Sequence, residues 1–163
     1  MTPPRFTASV PVFLRYLGHL AKWVDQAEAT GDPSVLTARL APDMLPFHTQ
    51  VEVAANFALR TCFPLAGLPV PPYGDQPPTA DGMRRRLARV SALVAALDPA
   101  AFAIARSVAD DAGQVRLVLP SDDFLHLYAL PNFFFHLGAA YHILRHAGLP
   151  LGKADFDGFH VYG

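Results

Sequence analysis

Between Asp123 and Arg145 the chain carries no Asp, Glu, Lys or Arg. A run this long and uncharged, Phe124 to Leu144, has two homes: a bilayer, which about 20 apolar residues suffice to span, or the interior of a helical protein. His126, Pro131, Asn132, His136 and His142 all fall inside it. Polar groups at that density are expensive in lipid, so the run is expected to be a helix buried in a soluble protein. Its core, LPNFFFHLGAAYHILRHAG from Leu130 to Gly148, holds three of the seven histidines. Burying imidazoles and an amide requires partners for them, which makes this helix the first place to look for a site.

Three further helices are expected from apolar spacing. The first runs from about Thr7 to Ala29, with Val10, Phe13, Leu14, Leu17, Leu20, Ala21 and Val24 on one face, and stops at Thr30-Gly31-Asp32-Pro33. A short helical turn over Pro33–Ala38 follows. The second runs from Asp43, read as its N-cap, to Phe63, with Met44, His48, Val51, Ala55, Leu59 and Cys62 inward. The prolines cluster at Pro69, Pro71, Pro72, Pro77 and Pro78, so residues 64–78 read as a surface connection. The third helix follows Thr79, turns Met83, Leu87, Val90, Val94 and Leu97 inward, and closes at Asp98-Pro99.

A short turn near Ala100 comes next. Ala103–Val108 and Gln114–Leu119 flank Asp110-Asp111-Ala112-Gly113, which reads as the turn of a small hairpin. Ser121-Asp122-Asp123 caps the fourth helix, and Gly148 ends it. The expected fold is all-α: one four-helix-bundle domain over residues 1–163, with a small β-hairpin or extended insertion before the last helix.

At 100° per residue, Leu125, Ala129, Asn132, His136, Ala139, Ala140 and Ile143 share one face of the fourth helix. Asn132 and His136 are i, i+4 neighbours, close enough to share a ligand. His48 points inward from the second helix. His48, Asn132 and His136 are therefore the candidate ligand pocket and the candidate metal site. Zinc favours His, Cys and carboxylate, and an amide oxygen suits harder ions. The competing reading is a polar pocket whose histidines are satisfied by hydrogen bonds and water.

The remaining candidates read as structure. His142 and His146 also have i, i+4 spacing, but on another face and in the last turn, where the helix dipole favours histidine. His19 shares a secondary stripe with Val12, Tyr16 and Trp23, read as packing or a dimer surface. Cys62 lies 14 residues from His48, roughly 21 Å along a helix, too far for the two to pair directly. It is expected to be a buried structural thiol, and as the single cysteine it allows no intrachain disulfide. Arg84, Arg85 and Arg89 lie off the inward stripe of the third helix and Arg86 borders it; the cluster reads as a solvated helix face, with an anion site as the sharper alternative.

Hydrophobic residues make up 52% and charged residues 17% of the chain, against a typical ~25% charged, so apolar surface is expected to be left over for a partner. A net charge of −1 gives no global attraction for nucleic acid or anionic lipid. Arg15 interrupts the early apolar run, so no signal peptide is expected, and a cytoplasmic location follows.

Four segments, ASVPVFLRYLGHL, LTARLAPDMLPF, LPNFFFHLGAAYHILRHAG and GKADF, resemble the bacterial family of domain of unknown function DUF1993 over nearly the whole chain. That family is similar to the DinB/YfiT-like superfamily of metalloenzymes. The resemblance implies a four-helix bundle, a homodimer, and a divalent ion, nickel or zinc, held by three histidines: one from the second helix and two from the fourth. His48 matches the second-helix ligand, and His136 with its trailing Leu137-Gly138 matches the last. The remaining ligand position falls on Asn132, a departure that leaves the site one histidine short. The expected function is a small-ligand-binding or structural bundle with a degenerate DinB-like site. The alternative is a metal-dependent, thiol-using transferase or isomerase with the ion at His48, Asn132 and His136.

Overall fold

The computed structural model describes residues 1–162. It is mainly helical, with one two-stranded antiparallel sheet. A short helix α1 (Pro4–Thr7) leads into α2 (Val10–Ala29). The break between them, at Ala8 and Ser9, divides the first expected helix near its start; the Ser9 hydroxyl turns back to the Arg5 carbonyl, and Pro11 sits in the first turn of α2. A 3₁₀ turn (Pro33–Thr37) precedes α3 (Phe47–Leu65), and α4 (Ala80–Ala95) follows the proline-rich connection.

A second 3₁₀ turn (Pro99–Ala103) leads to strands β1 (Ser107–Ala112) and β2 (Val115–Pro120). The chain then enters α5 (Ser121–Asp123), a π-helical stretch (Phe124–Ala129) and α6 (Leu130–His146) without interruption, and ends in α7 (Lys153–Asp157). α3 is the hub: α4 packs on one side of it and α6 on another, while α2 lies against α4. No described helix is long and apolar enough to cross a membrane.

The core is aromatic and shared by all four long helices, with Phe13, Trp23, Phe47, Phe102, Phe124 and Phe133 fully enclosed. Phe13 of α2 meets Phe133 of α6 edge to face at 4.7 Å, a geometry that adds about 1 kcal/mol beyond burial. Trp23 is also buried. It packs against Tyr141 of α6 and Phe156 of α7, so the secondary stripe of α2 read as a dimer surface is covered at Trp23 by the chain's own C-terminal segment.

Three expectations need correction. The second helix starts at Phe47, not Asp43, because Pro46 cannot sit in a helix interior and becomes the N-cap; Met44 lies outside it. The hairpin turn is Gly113-Gln114 rather than 110–113. Gly113 takes φ +62°, which a tight two-residue hairpin turn requires, and Ala112 then pairs with Val115. Asp110 therefore belongs to a strand.

The third correction concerns Arg86, which is buried rather than on a solvated face. It donates to Asn56 Oδ1 and to the carbonyls of Tyr73 and Gly74, while Arg89 donates to Pro72 and Tyr73. Arg84 pairs with Asp25 and Glu28, and Arg85 with Asp81. Arg84, Arg86 and Arg89 thus tie α2 and the proline-rich connection to α4, while Arg85 pairs within α4 itself.

Candidate functional site

Gln50 lies two positions after His48, which turns their side chains about 200° apart around α3; Phe57 lies nine positions after it, about 180°. This phase decides the geometry of the predicted site. His136 of α6 lies on the Gln50 and Phe57 side. Its Nδ1–H donates to Gln50 Oε1 at 2.7 Å, and its ring stacks on Phe57 with centroids 5.9 Å apart. His48 faces the other way, into a crevice of about 230 Å³ between α3, α4 and the proline-rich connection. Glu52, Gln76, Met83 and Arg86 line the crevice with it. α3 thus stands between the two histidines.

Gln50 is fully buried and bridges two elements. Its Nε2 donates to the Leu45 carbonyl at 3.2 Å while its Oε1 accepts from His136. An amide oxygen only accepts, so the proton sits on His136 Nδ1 and Nε2 is left as a lone-pair acceptor. Burial and the positive charge of Arg60 both hold the His136 pKa below its ordinary value, keeping the ring neutral. Asn132 lies one turn before His136, half-buried, and its Nδ2 donates to the Tyr128 carbonyl at 2.7 Å. The face that carries Asn132 and His136 is the one periodicity indicated, with Leu125, Ala129, Ala139, Ala140 and Ile143 buried beside them.

A charged cluster flanks His136. Arg60 of α3 reaches Asp110 of β1 through two hydrogen bonds, the shorter 2.7 Å, and also donates to the Asp111 carbonyl. Its guanidinium lies 4.5 Å over the Phe57 ring, while His136 stacks on that same ring. Burial alone would lower the Arg60 pKa, but the Asp110 hydrogen bond and charge outweigh it and raise it. Burial and the Asp110 charge push the Tyr128 phenol up. Sequence reasoning missed Gln50, Arg60, Asp110 and Tyr128. A single glutamine among the apolar positions of α3 was the signal available for Gln50; the Arg60–Asp110 pair needed the correct hairpin register.

The His48 crevice is less constrained. The ring has one neighbour at hydrogen-bond distance, Thr49 Oγ1 at 3.2 Å, and burial lowers its pKa, with Glu52 opposing and Arg39 adding to the shift. The crevice wall depends on Gly82, where a Cβ would overlap the Pro77 carbonyl oxygen. Only a glycine lets the connection lie this close to α4.

A nickel or zinc ion of the expected kind needs three donors converging on one point. His48 is turned away from the other two, Asn132 offers only its Oδ1, and His136 only its Nε2. The donor set does not fit that ion. Among the described residues no group of three or more His, Cys, Asp or Glu side chains is placed to hold a metal. Cys62 is fully buried, and burial pushes its thiol far above the usual range, so it is no nucleophile. His142, His146 and His126 are exposed, and His126 donates to the Asp122 carbonyl in its own helix.

The arrangement of helices, hairpin and C-terminal segment is similar to a crystal structure of a DinB family member protein from Shewanella denitrificans. That chain is 30% identical, matched over 97% of this chain and 94% of its own, with a TM-score of 0.82. The fold is thus of the DinB kind. The model for the domain of unknown function DUF1993 matches residues 6–157, and the chain belongs to that family. No curated protein matches it.

Proposed function

We propose that the protein is a DinB-type four-helix bundle that binds a small organic molecule in the His48 crevice and no longer carries the three-ligand metal of its superfamily. The observation that carries this reading is the placement of His48 and His136 on opposite sides of α3. The crevice has the composition of a binding site: an imidazole, a carboxylate and an amide converging beside Met83 and the proline walls. Arg86 is held by loop carbonyls and Asn56, and its guanidinium lies 3.5 Å from Glu52 Oε1, so the crevice carboxylate is already balanced in charge. On this reading His136 is a structural residue whose Nδ1–H is locked onto Gln50, and no step of chemistry runs through it.

Protein purified without a histidine tag is expected to contain no stoichiometric nickel or zinc by mass spectrometry, and neither ion should raise its Tm. A stoichiometric metal that is lost in His136→Ala would overturn the proposal and restore the transferase or isomerase alternative. A homodimer belongs to the same reading. Leu127, Pro131 and Phe135 recur every fourth residue along the last long helix and are exposed, Leu127 at 73% and Phe135 at 60%. Phe135→Glu should convert a dimer to a monomer in sedimentation equilibrium, and a wild-type monomer would remove this part of the proposal. A cytoplasmic location fits a small-molecule binder of this kind and is tested by cell fractionation.

A further inference from the structure

The C-terminal segment folds back along α2. Arg15 Nη2 donates to the Asp157 carbonyl at 2.7 Å, and its guanidinium lies 3.9 Å over the Phe159 ring. His19 Nδ1 donates to the Phe156 carbonyl at 2.8 Å. Between this segment and α2 lies a second crevice of about 430 Å³, larger than the one at His48 and remote from it. His19, Lys22, Trp23 and Gln26 recur at helical spacing along one wall, and Asp155 closes the other.

The polar groups in this crevice are mostly unspent. Trp23 is only 1% exposed, yet its indole N–H has no acceptor among the described residues. Every side-chain nitrogen or oxygen that is wholly enclosed does have a partner, so this N–H is not sealed in, and Trp23 lines the crevice. Lys22 makes no ion pair and the Gln26 amide no hydrogen bond among the described residues. In the tautomer whose Nδ1–H serves the Phe156 carbonyl, His19 Nε2 is an acceptor. Of the two acidic residues, Asp25 is ion-paired with Arg84, and Asp155 accepts the Gly152 N–H through one oxygen and keeps its charge. Three donors therefore stand free on α2, beside one imidazole acceptor.

We propose that this crevice binds a small carboxylate that also carries a hydrogen-bond donor, of the 2-amino or 2-hydroxy acid class. Lys22, the Trp23 N–H and Gln26 receive the carboxylate, and His19 Nε2 receives the ammonium or hydroxyl proton. A carboxylate suits the donor end because charge-assisted hydrogen bonds are roughly twice as strong as neutral ones. The indole N–H has no acceptor among the described residues and its residue is only 1% exposed, so an acceptor in the crevice would complete its bonding.

Trp23 is the single tryptophan, so its fluorescence reports on this crevice alone. Four probes on one four-carbon skeleton separate the chemistry: 2-aminobutyrate, 2-hydroxybutyrate, butyrate and butylamine. Either or both of the first two should shift the emission saturably, with a Kd at least tenfold below that of butyrate, and butylamine should give no saturable change. Which of the two binds tells an amino acid from a hydroxy acid ligand. Lys22→Ala, at an exposed position without partners, should raise the Kd at least tenfold. Trp23→Phe, which keeps the ring packing and removes the N–H, should weaken binding by calorimetry. Butylamine binding as well as the acids, butyrate binding equally well, an unchanged Kd in Lys22→Ala, or no saturable response to any probe would each overturn the proposal.

Discussion

His48 and His136 are the same residue type on the same bundle, both with pKa values held down by burial, yet they stand in opposite situations. His136 is gripped: Gln50 fixes its proton, Phe57 fixes its plane, and Arg60 with Asp110 walls its flank. His48 has a single neighbouring hydroxyl and an open crevice. The difference teaches that burial alone does not mark a functional histidine. What marks it is unused bonding capacity that opens on a crevice with room for a ligand, as at His48.

The sharpest way to break the comparison is to remove one partner from each ring. Gln50→Ala leaves the His136 Nδ1–H and the Leu45 carbonyl unpaired, and should cost about 2–3 kcal/mol in denaturant unfolding. Thr49→Ala, beside His48, should cost under about 0.5 kcal/mol. Equal losses would erase the distinction. Next in size is Asp110→Ala, which strands Arg60 beside Phe57 and should cost about 2 kcal/mol, the scale of a hydrogen bond to a charged group.

Gly82→Ala tests the open side. The new methyl group meets the Pro77 carbonyl, so the connection must shift, at about 1 kcal/mol. Its larger effect should be to deform the crevice, seen as altered chemical shifts of the His48 ring with those of His136 unchanged.

The smallest effect is in pH dependence. Both folded-state pKa values lie below the ordinary 6.5, so as pH falls below 6.5 the unfolded chain takes up protons that the folded chain resists. Stability should decline through that window and be flat in these groups above it. Replacing His48 and His136 together by Gln should flatten the slope, and each single replacement should remove part of it. An unchanged slope in the double variant would show that neither ring is responsible.

The long helices were readable because each buries one face, and a 3.6-residue period survives in the order of residues. The same rule put Asn132 and His136 on one face. It also placed His48 inward, which is true only of half its ring, because the first turn of α3 lies at the mouth of a crevice. Contacts made across the fold left no such trace. Gln50 and His136 are 86 positions apart, and Arg60 and Asp110 are 50 apart. Asp110-Asp111 resembles a turn by composition, and only the pairing of Ala112 with Val115 moves it into a strand. Arg86 reads as a surface residue because isolated guanidinium is costly to bury; the carbonyls of a connection 12 residues or more upstream are what make burial affordable.

The π-helical stretch from Phe124 to Ala129 has a consequence for how this chain tolerates change in length. Pro131 lacks an amide hydrogen, and in a continuous α-helix its ring would press on the Leu127 carbonyl. The wider π turn carries roughly one surplus residue before Pro131 and relieves that pressure. It works as a phase adjuster, absorbing a residue so that α6 still presents Phe133, Leu137, Ala140 and Leu144 to the core. Losing one residue here, the exposed Leu127 above all, would tighten the turn while leaving the downstream helix in step. The same deletion five residues beyond Pro131 would rotate everything after it by about 100° and carry the core face toward solvent.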